Sequence, residues 1–384
     1  MAISSTLSEE QQMMIDAIDQ ICASIVTDEY SAMLDREARY PQEVMDALAS
    51  AGWSALPISE EAGGAGASAQ DLVLVHEALA RHNLVVGQAY FSLWVLGAEA
   101  IDRLGTDEQK AVWMPRILDG DNVAFALTEP GSGSDAAALR TTAVLDGDDY
   151  IVNGSKVFIT GAAVSDVIVT GVRTSTGGGK RDGITTLMID PSLTGVSVRK
   201  LSKMGLKGLD LCEVFFADVR VPANEVLGEV GQGWNGVLPG LANERLLLAA
   251  LSVGALRDLL DRCLAYAKER QTFGKPIGGH QLIADKLVEM RVAIEANHAL
   301  TMHAATLVDA GDPDAVNVAS IAKLSATRDY VSATREAVQI FGGYGFCDEY
   351  PVSRHYRDCK YLEIGGGTSE IQKIVIARGM GIRL

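Results

Sequence analysis

The hydrophobic period of the chain changes twice. Met14, Ile15, Ile18, Ile21, Cys22, Ile25 and Val26 recur at helical spacing behind Leu7-Ser8-Glu9-Glu10-Gln11, which has capping-box form. Pro41 suits the first turn of a second helix, Pro41–Ala51, stopped by Gly52. Apolar-periodic runs at Leu72–Leu84 and Phe91–Leu104 continue the helical texture. From about residue 122 short strands take over. Tyr150-Ile151-Val152, Asn153-Gly154 and Val157-Phe158-Ile159-Thr160 predict a hairpin. Val167–Val172, Ile184–Ile189, Val196–Val198 and Val214–Val221 predict further strands, with Thr174–Gly183 as a flexible loop. From Gly233 long helices return: Leu241–Arg270, Gln281–Ala310, Ala315–Phe341 and Ser369–Arg378, with a break at Gly311-Asp312-Pro313. The pattern predicts an α+β chain in three domains. Residues 1–121 form an N-terminal helical domain, 122–231 a small antiparallel β-barrel or sandwich, and 232–384 a C-terminal four-helix bundle.

Composition narrows the functional classes. The 384 residues suffice for several cores. No apolar run approaches the roughly 20 residues that cross a bilayer, and the acidic start M-A-I-S-S-T-L-S-E-E has neither signal nor transit form. Five scattered cysteines without C-x-x-C read as reduced thiols in a cytoplasmic protein. A net charge of −17 argues against nucleic acid and anionic membranes, so an anionic ligand needs local donors. Six histidines without paired-ligand spacing leave a metal site unsupported. Gly63, Gly64 and Gly66 follow no strand and lack G-x-G-x-x-G spacing, which excludes a Rossmann loop.

The densest chemistry lies in Ala126–Asp135, A-L-T-E-P-G-S-G-S-D. On composition alone it is a surface turn rich in N–H and hydroxyl donors. As a motif it resembles the flavin-binding signature of the acyl-CoA dehydrogenase family. Further strings resemble the same family in order: G-S-K-V-F-I-T-G at 154–161, R-Q-T-F-G-K-P-I-G-G-H-Q at 270–281, Q-I-F-G-G-Y-G-F at 339–346 and G-G-T-S-E-I-Q at 366–372. With P-I-S-E-E-A-G-G-A-G at 57–66, the likeness spans essentially the whole chain.

The resemblance implies FAD. Leu127 and Thr128 would border the flavin ring, Gly133 and Ser134 would meet the pyrophosphate, and Phe158 and Thr160 would pack on the isoalloxazine. The family usually carries tryptophan at position 158, which puts the stacking on that face in doubt. Read without the family, Phe158 is a strand core residue. Arg270, Thr272, Phe273 and Gln281 resemble the set that reaches the FAD of a neighbouring subunit, with Gln339, Gly342 and Gly343 at the adenine half and Thr368 and Glu370 in the cofactor set. A shared cofactor implies a homo-oligomer, expected as a dimer of dimers. The implied activity is oxidation of an acyl-CoA to the trans-2-enoyl-CoA, with electrons passed to an electron-transferring flavoprotein.

The base is where the chain departs from a common family pattern. Many members hold a catalytic glutamate at position 366, in Y-E-G-T, but here the tail reads Ile364-Gly365-Gly366-Gly367-Thr368. Glu244 is the strongest replacement. It precedes Arg245 and the run Leu246–Leu251, which is apolar all round the helix. The isovaleryl-CoA and long-chain branches resemble this arrangement. The Gly366 N–H would polarise the thioester carbonyl, and Ser134, Arg245, Gly365 and Arg378 would lie at the substrate. The plain alternatives are a surface Glu244 paired with Arg245 or a neighbouring subunit, and a helix-terminal Arg378. Glu363 and Tyr361 are the lesser base candidates. Gly365 and Gly366 also predict an opened wall suited to branched or bulky acyl groups. Competing functions are an enoyl-CoA reductase, a flavin oxidase or monooxygenase on a non-CoA substrate, and a non-catalytic acyl-CoA-binding protein.

Overall fold

Local signals in the first third of the chain act as their chemistry dictates. In this computed structural model, which describes residues 7–237 and 240–383, helix α1 (Glu9–Ile25) starts at Ser8. The Ser8 hydroxyl accepts from Gln11 N–H at 3.1 Å and Ser8 N–H donates to the Gln11 side chain at 3.2 Å, a closed capping box. The Met1–Thr6 stretch, read above as carrying no leader, lies outside the described residues. Helix α2 (Asp28–Glu37) follows, and α3 (Gln42–Ser50) stops short of Gly52, whose φ of 83° suits glycine. Helix α4 (Ala69–His82) is buried along most of its length. Next come α5 (Leu84–Tyr90), a π turn over Phe91–Leu96, α6 (Gly97–Leu104) and α7 (Asp107–Leu118). Helices α2 and α7 are additions to the sequence expectation, being short and largely polar.

One expectation about membranes needs correcting. The rod Leu84–Leu104 is 21 residues long and apolar enough to span a bilayer, but 89% of its apolar window is buried inside the protein. It is a core helix.

The middle region is one eight-stranded sheet in the order β6-β7-β3-β2-β4-β5-β8, with β1 paired to β4. The strands are β1 (Val123–Ala126), β2 (Thr142–Asp146), β3 (Asp149–Thr160), β4 (Val167–Arg173), β5 (Ile184–Ile189), β6 (Val196–Lys200), β7 (Leu211–Pro222) and β8 (Val226–Leu227). Two findings correct the sequence reading. The sheet is mixed, because β1 runs parallel to β4. The proposed hairpin at Asn153-Gly154 is instead an unbroken β3. Gly154, at φ 147°, makes a bulge against β7, so the Asn-Gly pair bends a strand rather than reversing it. The real reversal lies one strand earlier, between β2 and β3, at Gly147 with φ 65°.

The last third comprises α8 (Gly233–Val237), α9 (Gly240–Glu269), α10 (Gln281–Asp309), α11 (Ala315–Phe341), α12 (Pro351–Ile364) and α13 (Ser369–Gly379). The expected bundle lacked α12, whose sequence V-S-R-H-Y-R-D-C-K-Y is too polar to show an apolar stripe. Leu246 through Leu251 are all buried, so α9 is enclosed on every side. A fully buried Leu contributes about 1.5–3 kcal/mol, which makes this helix the fixed axis of the region. Helices α4 and α9 cross closely because Gly254 faces the Glu77 carbonyl and the Ala80 methyl, where a Cβ would collide. One apolar core therefore joins the first and last thirds, and the sheet has a core of its own.

Candidate active site

The loop after β1 is pinned by a buried ion pair that the sequence did not reveal. Glu129 accepts from Arg140 N–H at 2.6 Å, from Thr141 N–H at 2.8 Å and from Lys156 Nζ at 2.8 Å. Lys156 also donates to the Leu127 carbonyl at 3.1 Å and is itself fully buried. Burial pulls its pKa down to about 8 against the pull of Glu129. Burial works to raise Glu129, but the Lys156 ammonium and hydrogen bonds from Lys156 and Thr141 outweigh it and hold the carboxyl below its ordinary value. The available signal was a lysine set directly before the apolar run Val157-Phe158-Ile159.

With its root fixed, the loop presents its small residues outward. Glu129 and Ser132 exchange backbone hydrogen bonds, which closes the turn. A side chain on Gly131 or Gly133 would meet nothing, and Gly133 and Ser134 are exposed. Val157 N–H donates to the Thr128 carbonyl at 2.9 Å, so Leu127 and Thr128 lie beside β3. The β3–β7 register shifts between Lys156 and Ile159, and in that bulge Phe158 has φ 61° and is 60% exposed. Phe158 is thus no core residue. It is an aromatic turned outward at a backbone strain that glycine would avoid. The Thr174–Gly183 loop is anchored, since Lys180 pairs with Asp135 at 2.7 Å and the Arg173 guanidinium donates to the carbonyls of Lys180 and Asp182.

A second cluster forms where α9 meets the tail. Gly366 has φ 62°, and a Cβ placed on it would run into Leu248 Cδ1 and lie 3.4 Å from Glu244 Cγ and Cδ. The expected opening of the wall is therefore wrong. The space a side chain at 366 would take is filled by Leu248 and by the Glu244 carboxyl. Glu244 is partly buried, and burial raises its pKa while Arg245 and Lys323 pull it down. A direct pairing of Glu244 with Arg245 is not formed, because the buried Arg245 makes its side-chain hydrogen bond to Ser320 at 3.3 Å. Among the described residues, no group accepts from the Gly366 N–H.

Tyr361 closes the cluster. Its hydroxyl lies 2.9 Å from Thr160 Oγ1 and accepts from Gln88 at 3.5 Å. Its ring stands beside Gly365, where a Cβ would lie 3.6 Å from Cε1. Burial and the Glu244 charge raise the phenol pKa, so it keeps its proton. Glu363 is tied to Lys360 and Ser369. Arg378 is exposed in the last turn of α13, about 13 Å along the helix from Ser369, and none of the hydrogen bonds described for this cluster involves it. Glu370 is exposed in the first turn of α13, and the Thr368 hydroxyl caps that helix by accepting from Ile371 N–H. Lys323, buried and in no motif, donates to the carbonyls of Glu363 and Gly367.

The third set is a groove of about 420 Å³ lined by Arg270, Thr272, Ile340, Gly342, Gly343 and Tyr344. The Arg270 guanidinium sits 5.6 Å from the Tyr344 ring centre, and side chains on Gly342 and Gly343 would meet nothing. Phe273, at φ 51°, is 96% exposed, and Gln281 and Gln339 are exposed nearby in sequence. No residue of the 127–135 loop lines this groove. Each surface carries what a dinucleotide needs. The loop offers open glycines, a hydroxyl and an outward aromatic, and the groove offers an exposed guanidinium between open glycine backbones.

Family models for the acyl-CoA dehydrogenase N-terminal, middle and C-terminal domains match residues 8–121, 124–219 and 231–381. The chain belongs to the acyl-CoA dehydrogenase family. Acyl-CoA dehydrogenases are FAD-dependent enzymes, and the donor sets above fit that cofactor. A relative from Bacillus subtilis, a probable acyl-CoA dehydrogenase, is 36% identical over 97% of this chain and 98% of its own. The acryloyl-CoA reductase (NADH) of Anaerotignum propionicum is also 36% identical, over 97% of this chain and 95% of its own. The butyryl-CoA dehydrogenase structure from Megasphaera elsdenii superposes with a TM-score of 0.93 at 32% identity, covering 99% of this chain and all of that one. The helical, β-sheet and helical order is that of the acyl-CoA dehydrogenase fold.

Proposed function

We propose that this acyl-CoA dehydrogenase oxidises an acyl-CoA thioester to the trans-2-enoyl-CoA with Glu244 as its base. The observation that carries the reading is the position of the Glu244 carboxyl, 3.4 Å from where a side chain on Gly366 would begin. The helix thereby delivers a carboxylate to the place the tail leaves empty. Glu244 removes the α-proton, and the free Gly366 N–H donates to the thioester oxygen as negative charge builds there. Bound FAD supplies the acceptor for the β-hydride. Leu127, Thr128, Phe158 and Thr160 would hold its ring, Gly133 and Ser134 its pyrophosphate. Arg270, Thr272 and the Gly342-Gly343 turn would hold the adenine half from a neighbouring subunit, in a dimer of dimers. Electrons would leave to an electron-transferring flavoprotein, in a cytoplasmic setting that the five free cysteines suit.

Anaerobic bleaching of the flavin by a panel of acyl-CoAs tests this. The parent should bleach and Glu244→Gln should slow by about 10⁴-fold or more, since a base contributes about 10²–10⁴ and the variant also loses a charge. Equal rates in parent and variant would remove Glu244 from the role. The acryloyl-CoA reductase relative supports a second reading, the same chemistry run toward the saturated thioester. Fast oxidation of the reduced protein by enoyl-CoA, with no bleaching by acyl-CoA, would select it.

A further inference from the structure

Lys323 has no place in the motifs, yet it sits fully buried beneath the tail loop. Its Nζ donates to the Gly367 carbonyl at 2.8 Å and to the Glu363 carbonyl, in the last turn of α12, at 3.1 Å. Gln372, also fully buried, donates from one Nε2 to the carbonyls of Gly366 at 3.0 Å and Gly367 at 2.8 Å. Gly365 N–H is fixed in turn on the Tyr361 carbonyl at 2.8 Å. The loop is thus held on both sides of the Gly366 N–H, which is left without a described acceptor. With φ of 62° and 87°, Gly366 and Gly367 have no side chains to resist rotation, so the donors must set the peptide planes.

We propose that Lys323 is a positioning residue for the reaction: with Gln372 it clamps the carbonyls of the Gly366–Gly367 loop, and its charge, beside that of Arg245, favours the anionic form of the Glu244 carboxyl that lies against the same loop. The inference rests on the reading of Glu244 as the base. A buried ammonium is costly unless it is matched, and here it meets the carbonyl end of α12 and nearby acids. The charged groups facing it are Glu244 and Arg245 from α9, Glu363 from α12 and Glu370 from α13. Those facing Glu244 are Arg245 and Lys323, with Tyr361 adding a neutral hydroxyl. Burial lowers Lys323 to about 8, so the clamp keeps its charge through neutral pH and loses it in mild alkali.

The test uses Lys323→Met, Lys323→Arg, Lys323→Gln and Gln372→Leu in the FAD-loaded enzyme. In Lys323→Met the acid limb of the kcat/KM profile should move up by about one pH unit or more, because a nearby positive charge is gone. Its kcat should fall about 10–100-fold with KM changed less than about threefold, the mark of a contact made in the transition state. Lys323→Arg should restore the limb. Gln372→Leu should lower kcat without moving it. Lys323→Gln separates donor from charge and serves if the methionine variant does not fold: its limb should move as for methionine.

A second readout needs no turnover. The carboxyl titration in infrared pH-difference spectra, assigned by its loss in Glu244→Gln, should rise in the same variants. If no acyl-CoA bleaches the parent, the function proposed above fails, and the infrared titration still decides the clamp. A folded Lys323→Met or Lys323→Gln whose Glu244 titrates as in the parent overturns the proposal.

Discussion

Gly366 is constrained by its backbone and by its neighbours together. Its φ of 62° costs a side-chain-bearing residue about 1 kcal/mol, and the Leu248 methyl already fills the Cβ position. Gly366→Ala should therefore destabilise by about 2–4 kcal/mol, the strain plus the cost of overpacking. Adding Leu248→Ala should not restore the parent, since the strained φ remains and a core leucine is lost. Thermal melts of the two variants with FAD bound check this, and a melt unchanged in Gly366→Ala would refute the packing. Glu244 makes the matching pH prediction. Burial raises its pKa, so the carboxylate is lost as pH falls through a value above the ordinary glutamate range. The acid limb of kcat/KM should lie above the usual 4.5, and a limb at or below that value would mean the carboxyl is better solvated than its position implies.

Elements explain what the sequence could and could not disclose. Long helices were legible because α9, α10 and α11 carry uninterrupted apolar periodicity, and the Glu244-Arg245 pair stood out because charge sits at the mouth of an all-apolar run. Helix α12 was hidden, since its polar face dominates and its burial comes from neighbours remote in sequence. Asn153-Gly154 misled because glycine at positive φ serves a bulge as well as a turn, and only the partner strand β7 decides between them. The filled wall at Gly366 depended on Leu248, a residue from another element, and no local pattern encodes that. The ion pair under the 127–135 loop has the same origin, bridging residues 129 and 156. Lys156→Met should cost about 3–5 kcal/mol by stranding the buried Glu129. Lys156→Met with Glu129→Leu should recover much of that cost, measured by denaturant unfolding. Equal losses in both would mean that the loop, and not the stranded charge, carries the penalty. The Phe158 bulge offers the converse: Phe158→Gly relieves strain of about 1–2 kcal/mol in the FAD-free protein. It should weaken FAD retention about tenfold through the lost aromatic surface.

At the scale of the whole molecule, the exposed apolar residues support the proposed assembly. Phe273, Phe346 and Leu282 are 96%, 91% and 80% exposed, and α10 adds the exposed pair Val288 and Val292 one turn apart. Large apolar side chains left this exposed are what a protein contact surface covers. The Arg270 groove likewise presents a guanidinium and bare glycine backbone, and among the described residues none from the 127–135 loop lines it. Both facts follow if a second copy brings the 127–135 loop, and the cofactor it holds, to this groove. Assembly and FAD binding are then linked by mass action. The parent should sediment as a multiple of its 40.8 kDa protomer with FAD in stoichiometric amount. Leu282→Asp with Val292→Asp should sediment as smaller species and lose FAD, and added FAD should shift them back toward the parent size. Arg270→Ala should lose FAD first, with assembly weakened only as the cofactor leaves. If the aspartate pair sediments and binds FAD as the parent does, the interface lies elsewhere. If Arg270→Ala keeps its FAD, the groove is not the partner's share of the cofactor site.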